Sequence, residues 1–350
     1  MSDATVSWLS GPVLRARTTG RFHVSDAILV GDQQLLGEVI RVDAEGIVAQ
    51  VYEDTTGLRP GDRVTSSSEP LSIRLRPGLL GKIYDGLLRP LATMPGDTVQ
   101  PGMREESVAK LSYRPLAKQG DILRAGQVIG EFGPEDVAEK HLVPPGIGGE
   151  VVSIASEGDY DDDQVLCVLC DEDGTETELG AGHYWPIRRP RPAAKRLPPC
   201  EPLVTGQRIM DTLFPVARGG RAALPGGFGT GKTILQESLA KWCDADVIVY
   251  VGCGERGNEM AEVLNEFPTL EDPRSGKPLL DRTVIIANTS NMPVAAREAS
   301  IYTGITVAEY FRDQGLHVAL MADSTTRWAE ALREISGRLG ELPGEQGFPA

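Results

Sequence analysis

The chain has 350 residues, 41% apolar and 24% charged, which is too long for one hydrophobic core and excludes a disordered, collagen-like or coiled-coil protein. Asp and Glu number 50 against 35 Lys and Arg, and the resulting charge of −15 excludes a general nucleic-acid binder, which needs a basic footprint for phosphate. No run approaches the ~18 apolar residues of a bilayer span, and Met1-Ser2-Asp3-Ala4-Thr5 lacks the basic flank of a signal peptide, so neither is expected.

The first seventy residues read as short β-branched strands broken by turns. Ala27–Val30, Glu38–Val42 and Ile47–Tyr52 are separated by Gly31-Asp32 and Ala44-Glu45-Gly46. Strands this short and evenly spaced predict a small β-barrel with no catalytic signature.

Residues 111–185 predict a second β-rich unit, with turn signals at Gln119-Gly-Asp121, Arg124-Ala-Gly126 and Pro144-Pro-Gly146. The five cysteines are dispersed, as in a reducing compartment, and Cys167-Val-Leu-Cys170 has no second pair, so its apolar surroundings predict a buried strand rather than a metal or redox site. From Glu157 to Glu178 ten acids occur without a Lys or Arg. Asp159, Asp161, Asp162 and Asp163 lack the spacing of a calcium loop, and a solvated acidic hairpin is expected. The stretch Arg188–Pro199 is basic and Pro-rich, and predicts a stiff linker rather than a nucleic-acid patch.

Beyond residue 220 apolar runs alternate with helical periodicity. Asp246–Val251, Thr283–Ala287 and Leu316–Ala322 read as strands buried on both faces of a parallel sheet. Lys232–Ala245, Asn258–Phe267 and Pro293–Asp313 read as the helices between them, a doubly wound α/β pattern.

The chemistry concentrates in this last part. Gly226-Gly227-Phe228-Gly229-Thr230-Gly231-Lys232-Thr233 fits G-x-x-x-x-G-K-[ST] in full and runs directly into an amphipathic helix. Glycines allow the backbone to curl so that successive N–H groups face phosphate oxygens. Lys232 reaches the β and γ phosphates, the Thr233 hydroxyl is a Mg²⁺ ligand, and the helix adds its positive end. Leu316–Ala322 leads into Asp323, where such sites carry the second metal-shell group. An Asp there also suits a plain helix cap, a job Ser324 could share. Glu255 ends the Val247–Val251 region, at the sheet edge where ligands bind, and a carboxylate there can orient water on a γ-phosphate. Glu259 is a weaker alternative that also suits the start of a helix.

These motifs together resemble the catalytic A subunit of V-type and archaeal-type rotary ATPases. The resemblance rests on Gly252-Cys-Gly-Glu-Arg-Gly-Asn-Glu259, Pro215-Val-Ala-Arg-Gly-Gly220 and Met321-Ala-Asp-Ser-Thr-Thr-Arg-Trp-Ala-Glu330. Gly81-Lys-Ile-Tyr-Asp-Gly86 with Arg89-Pro-Leu91, and Gly340–Pro349, also carry it. It implies an α/β P-loop (RecA-like) nucleotide-binding domain with an N-terminal β-barrel and an inserted β-rich bulge domain. The expected division is 1–70 barrel, 71–110 start of the nucleotide-binding domain or linker, 111–185 bulge, and 186–350 an incomplete P-loop domain. The helical C-terminal domain and adenine-contacting residues of the family have no counterpart before Ala350, so an N-terminal fragment is expected, with poor turnover on its own.

By the same resemblance, Lys232 and Thr233 are the P-loop lysine and metal ligand, and Glu255 is the water-activating acid. Arg256 is its phosphate-contacting neighbour, Asp323 the metal-shell acid, and Arg327 a phosphate-side arginine. The cofactors implied are ATP or ADP and Mg²⁺. The partners implied are B subunits in an alternating A3B3 hexamer, central and peripheral stalk subunits, and indirectly a membrane ion ring, at the cytoplasmic face of the plasma membrane. Gly227 and Thr230 depart mildly from the family's loop and leave the cradle intact. Three other readings share parts of this pattern. An RNA helicase needs stacking aromatics and a basic channel, and aromatics are 5% of this chain. A protein-export ATPase has no reason to carry the 111–185 insertion, and a non-catalytic subunit has no reason to keep Lys232, Thr233 and Glu255.

Overall fold

The computed structural model describes residues 2–91, 101–102, 110–133, 138–227 and 229–349, without the side chains of residues 259, 262–264 and 266. Its first element is a closed antiparallel barrel of six strands. Around the barrel these run Asp3–Ser10, Val13–Thr18, Gly46–Val51, Leu35–Asp43, Asp26–Val30 and Arg63–Pro70, and Asp3–Thr5 closes it against Arg63–Thr65. Val6, Leu14, Ile28, Val30, Leu35, Ile47 and Val64 fill the interior. Closure removes the free edges that would otherwise pair with other chains.

Two four-stranded antiparallel sheets follow. One orders Ile122–Arg124, Gly148–Ile154, Cys167–Cys170 and Glu176–Leu179; the other orders Glu139–Leu142, Val128–Phe132, Lys110–Pro115 and Gly158–Asp161. Leu123, Ile129, Val151, Cys167 and Leu169 share a core, and burial pushes the Cys167 thiol up to about 11, so it is an inert packing group. The cysteine pair lies in a strand, as its apolar flanks predict, with Cys167 buried and Cys170 half-buried.

The acidic run departs from expectation at one residue. Nine of its ten acids are exposed, but Asp162 is 1% exposed and pairs with Arg76 at 2.9 Å and Arg74 at 3.3 Å. Pairing of Ser72–Leu75 with His183–Pro186 carries both arginines to it, from positions that local charge patterning cannot anticipate.

The basic linker departs too. Arg188 donates to Glu38 of the barrel at 2.9 Å and to Glu298 of the helix Val294–Asp313 at 2.8 Å, and its guanidinium stacks over Tyr302. Arg191 is buried and donates to Asp313 at 2.8 Å. Residues 192–200 are exposed throughout. The first basic residues are therefore a clasp between barrel and helix, because two buried carboxylates require a cation at that point.

The last unit is a parallel sheet in the order Val318–Asp323, Val247–Glu255, Thr283–Thr289, Ile83–Tyr84. Its fourth strand comes from upstream of the second β-rich unit. Side chains of the central strand alternate between two cores. Val247, Val249, Val251 and Cys253 pack with Ala295, Ala299, Val307 and Phe311 of the long helix. Ile248 and Tyr250 pack with Ala240, Met260 and Phe267 on the opposite face. Helices on both faces make the doubly wound architecture, and its strands all end on one edge.

Candidate functional site

The carboxyl edge of this sheet gathers most of the residues singled out from the sequence. The loop before the helix Lys232–Trp242 holds Gly229 at φ 75° and Gly231 at φ 81°, conformations in which side-chained residues are strained. A Cβ on Gly226 would lie 2.5 Å from Thr230 Oγ1, so this glycine also permits a close approach. Thr230 donates to the Gly227 carbonyl at 2.8 Å and braces the turn. Lys232 Nζ lies back over the loop, donating to the carbonyls of Gly226 at 2.9 Å and Gly227 at 2.7 Å. Phe228, expected as part of the cradle, lies outside the described residues.

Thr233 stands on the first turn of that helix and donates from Oγ1 to Asp323 Oδ2 at 2.7 Å. Asp323 is the last residue of Val318–Asp323, 3% exposed, and in register with Gly252 of the neighbouring strand. Ser324 occupies the cap position of the helix Thr325–Leu339 without a side-chain cap bond, and Asp323 engages Thr233 rather than that helix. A hydroxyl and a carboxylate oxygen converging at the start of a helix form a donor set for a hard oxygen-seeking cation, and they fit Mg²⁺. Among the described residues no three His, Cys, Asp or Glu gather into a cage of their own.

Glu255 ends the central strand, half-buried, and its carbonyl accepts the Ser290 N–H at 2.8 Å, which ties it to the loop after the next strand. Arg256 follows at once and is exposed, just ahead of the helix Gly257–Glu266. Arg327 sits in the first turn of Thr325–Leu339 and bonds Glu330 at 2.8 Å. Between Glu255 and Arg327 lies Gly254, at φ 74°, where a Cβ would fall 2.7 Å from Arg327 Cβ. Thr233 and Asp323 thus meet directly, and Arg327 packs against Gly254, the residue before Glu255. The side chain of Glu259 is outside the description.

Tyr250 lies beneath this edge. Burial first, then the negative charge of Asp323, Glu237 and Glu255, pushes its hydroxyl far above the ordinary range, so it remains a neutral group under the site. Cys253 is buried and pushed up to about 11 by desolvation, and its thiol bonds the Arg297 carbonyl at 3.5 Å. Sequence reasoning missed Arg297, whose stem crosses Gly254, because a single arginine at the start of a helix has no spacing signature.

Comparison with known proteins places these units. Residues 6–67 match the family model of the ATP synthase alpha/beta family, beta-barrel domain. Residues 106–188 match the ATPsynthase alpha/beta subunit barrel-sandwich domain, and residues 206–350 the ATP synthase alpha/beta family, nucleotide-binding domain. Among curated relatives, the A-type ATP synthase A subunit of Methanopyrus kandleri is 53% identical over 349 residues, covering 98% of this chain and 59% of that protein. The protein of the same name from Thermococcus kodakarensis is 54% identical over 349 residues, covering 98% of this chain and 60% of its own. The chain therefore spans about three-fifths of the length of these relatives. A solved structure of the assembled ATPase EscN from the enteropathogenic E. coli type III secretion system superposes with TM-score 0.64 at 23% identity, over 99% of this chain and 62% of that one, which shows a shared fold. With barrel, second β-rich unit and P-loop sheet each matched in order, the chain belongs to the ATP synthase alpha/beta family.

Proposed function

We propose that this chain is the catalytic nucleotide-binding part of an A/V-type rotary ATPase, which couples ATP + H2O = ADP + phosphate, in either direction, to movement of H⁺ or Na⁺ across a membrane. The observation that carries the reading is the 2.7 Å bond between Thr233 and Asp323, since it joins a phosphate-loop hydroxyl to the acid of a neighbouring strand. The curated relatives above 50% identity favour this reading over a protein-export ATPase, whose likeness here is one of fold at 23% identity.

In this reading the amides of Gly226–Thr233 cradle the polyphosphate, and Lys232 swings from the loop carbonyls to the β and γ oxygens. Thr233 Oγ1 and Asp323 hold Mg²⁺, which when bound neutralises charge on the phosphates. Glu255 orients the attacking water and accepts its hydrogen bond. Arg256 and Arg327 supply positive charge on the phosphate side of the same edge, and an arginine from a neighbouring subunit completes the site.

The partners proposed are B subunits alternating in an A3B3 ring, together with central and peripheral stalk subunits, and no nucleic acid. Attachment to the cytoplasmic face of the plasma membrane is proposed to come through that complex; no described helix is long and apolar enough to cross a bilayer. The division into barrel (1–70), lead-in (71–110), bulge (111–185) and P-loop domain (186–350) follows the same reading.

The test is Lys232→Ala in the full-length chain assembled in its complex. ATP turnover should fall on the order of 10²-fold or more. Turnover at the wild-type rate would remove the P-loop from the mechanism and overturn the assignment.

A further inference from the structure

We propose that Arg297 is a positioning residue for the reaction: it fixes the strand end Cys253–Glu255 so that the Glu255 carboxylate faces the phosphate loop. This rests on Glu255 being the water-orienting acid.

Arg297 projects from the first turn of the helix Val294–Asp313, at the same carboxyl edge. Its Nη2 donates to the Ser290 carbonyl at 2.9 Å, and the Ser290 N–H donates to the Glu255 carbonyl at 2.8 Å. One residue thus links the guanidinium to the main chain of Glu255. The backbone repeats the connection on the other side. The Arg297 carbonyl accepts from Cys253 Sγ at 3.5 Å and from Ser300 Oγ at 2.8 Å, and the Cys253 carbonyl accepts the Ser324 N–H at 3.2 Å, one residue past Asp323.

The stem lies directly over the strand end at Gly254. A Cβ at Gly254 would sit 3.0 Å from Arg297 Cδ and 3.2 Å from its Nε, so the glycine makes room for this side chain as well as for Arg327. Nε is shielded from water and has no hydrogen-bond partner among the described residues. Burying a guanidinium donor unpaired is unfavourable, and here the two bonds that bracket the strand end offset it. A strand end held from both flanks fixes the Cα–Cβ direction from which the Glu255 side chain reaches the site. A misplacement of about 1 Å in a reacting geometry costs on the order of 10²-fold in rate.

The test compares Arg297→Ala, Arg297→Lys and Lys232→Ala in the full-length chain within its assembled complex. Arg297→Ala should lower kcat on the order of 10²-fold while KM for MgATP stays within about threefold. Arg297→Lys keeps the charge and one donor but not the planar fork, and should lower kcat about tenfold. Amides at Cys253–Arg256 and Ser290 should exchange faster in Arg297→Ala at an unchanged melting midpoint, a local loosening that a general loss of stability would not mimic. A rise in KM at constant kcat would make Arg297 a nucleotide contact, and wild-type kinetics would make it dispensable; either overturns the proposal. If Arg297→Ala does not assemble, Arg297→Lys decides by the same two kinetic readouts. Retained turnover in Lys232→Ala sinks the parent reading of the site. Its loss beside an unaffected Arg297→Ala sinks only the role of Arg297.

Discussion

Thr233 and Asp323, ninety positions apart, are joined by a 2.7 Å hydrogen bond between the first turn of one helix and the last residue of a strand. The bond brings a neutral donor to a carboxylate that is 3% exposed, an arrangement that needs a partner for the charge. Mg²⁺ would take both oxygens as ligands.

Asp323→Asn removes the charge and keeps the shape. Calorimetry with ADP on the full-length chain should show the Mg²⁺-dependent gain in affinity reduced about 10- to 100-fold, with Mg²⁺-free binding little changed. Thr233→Ser retains the hydroxyl and should behave as wild type, whereas Thr233→Val should follow Asp323→Asn. Equal Mg²⁺ dependence in all variants would take both residues out of the metal site.

Glu255→Gln keeps a hydrogen-bonding group of the same size without a proton acceptor. Turnover in the complex should drop by about 10²- to 10⁴-fold while nucleotide still binds. Loss of binding along with turnover would mean that Glu255 shapes the loop instead of acting on water.

Arg188 neutralises two acids at once. The side chains of Glu38 and Glu298 are 6% and 3% exposed, Gln50 donates to Glu298, and the Tyr52 hydroxyl donates to Glu38. Arg188→Met should destabilise the barrel–helix junction by about 3–5 kcal/mol in denaturant titrations, because both carboxylates remain buried without a cation. The triple variant with Glu38→Gln and Glu298→Gln should recover most of that loss. No recovery would mean that the guanidinium acts through its packing on Tyr302.

Two histidines set a pH dependence. Burial holds His141 down at about 4, and burial, then Arg191 and His141, hold His183 down at about 3. Both stay neutral in the folded chain while the unfolded chain takes up protons below about 6.5, so the unfolded state binds more protons and stability falls as pH falls. Between pH 6.5 and 5, above the carboxylate range, the loss should approach about 1.4 kcal/mol per pH unit for each histidine. His141→Phe, placed among Tyr113 and Phe132, should roughly halve that slope. A flat profile between those pH values would show that the rings charge freely when folded.

How far the sequence reached can be judged at particular residues. The P-loop was legible because its glycines act locally: Gly229 and Gly231 need positive φ whatever surrounds them. Asp323 and Glu255 were legible because each ends an apolar run, and parallel strands end together. Nothing local announced that Cys253 and Arg297 would meet, since one is a strand residue and the other lies on a helix 44 positions on.

By itself, the order of residues determined the short alternating strands of the barrel, the continuous apolar strands of the parallel sheet and the glycine-rich turn before Lys232, because each follows from the backbone's own periodicity or steric limits. Only the tertiary structure decided that Asp162 would be buried, that Arg188 would clasp two units and that Ile83–Tyr84 would join a sheet far downstream. Those outcomes depend on which charge arrives from 86, 110 or 150 positions away and which strand edge from downstream, and on the exclusion of water once it arrives, none of which a local pattern encodes.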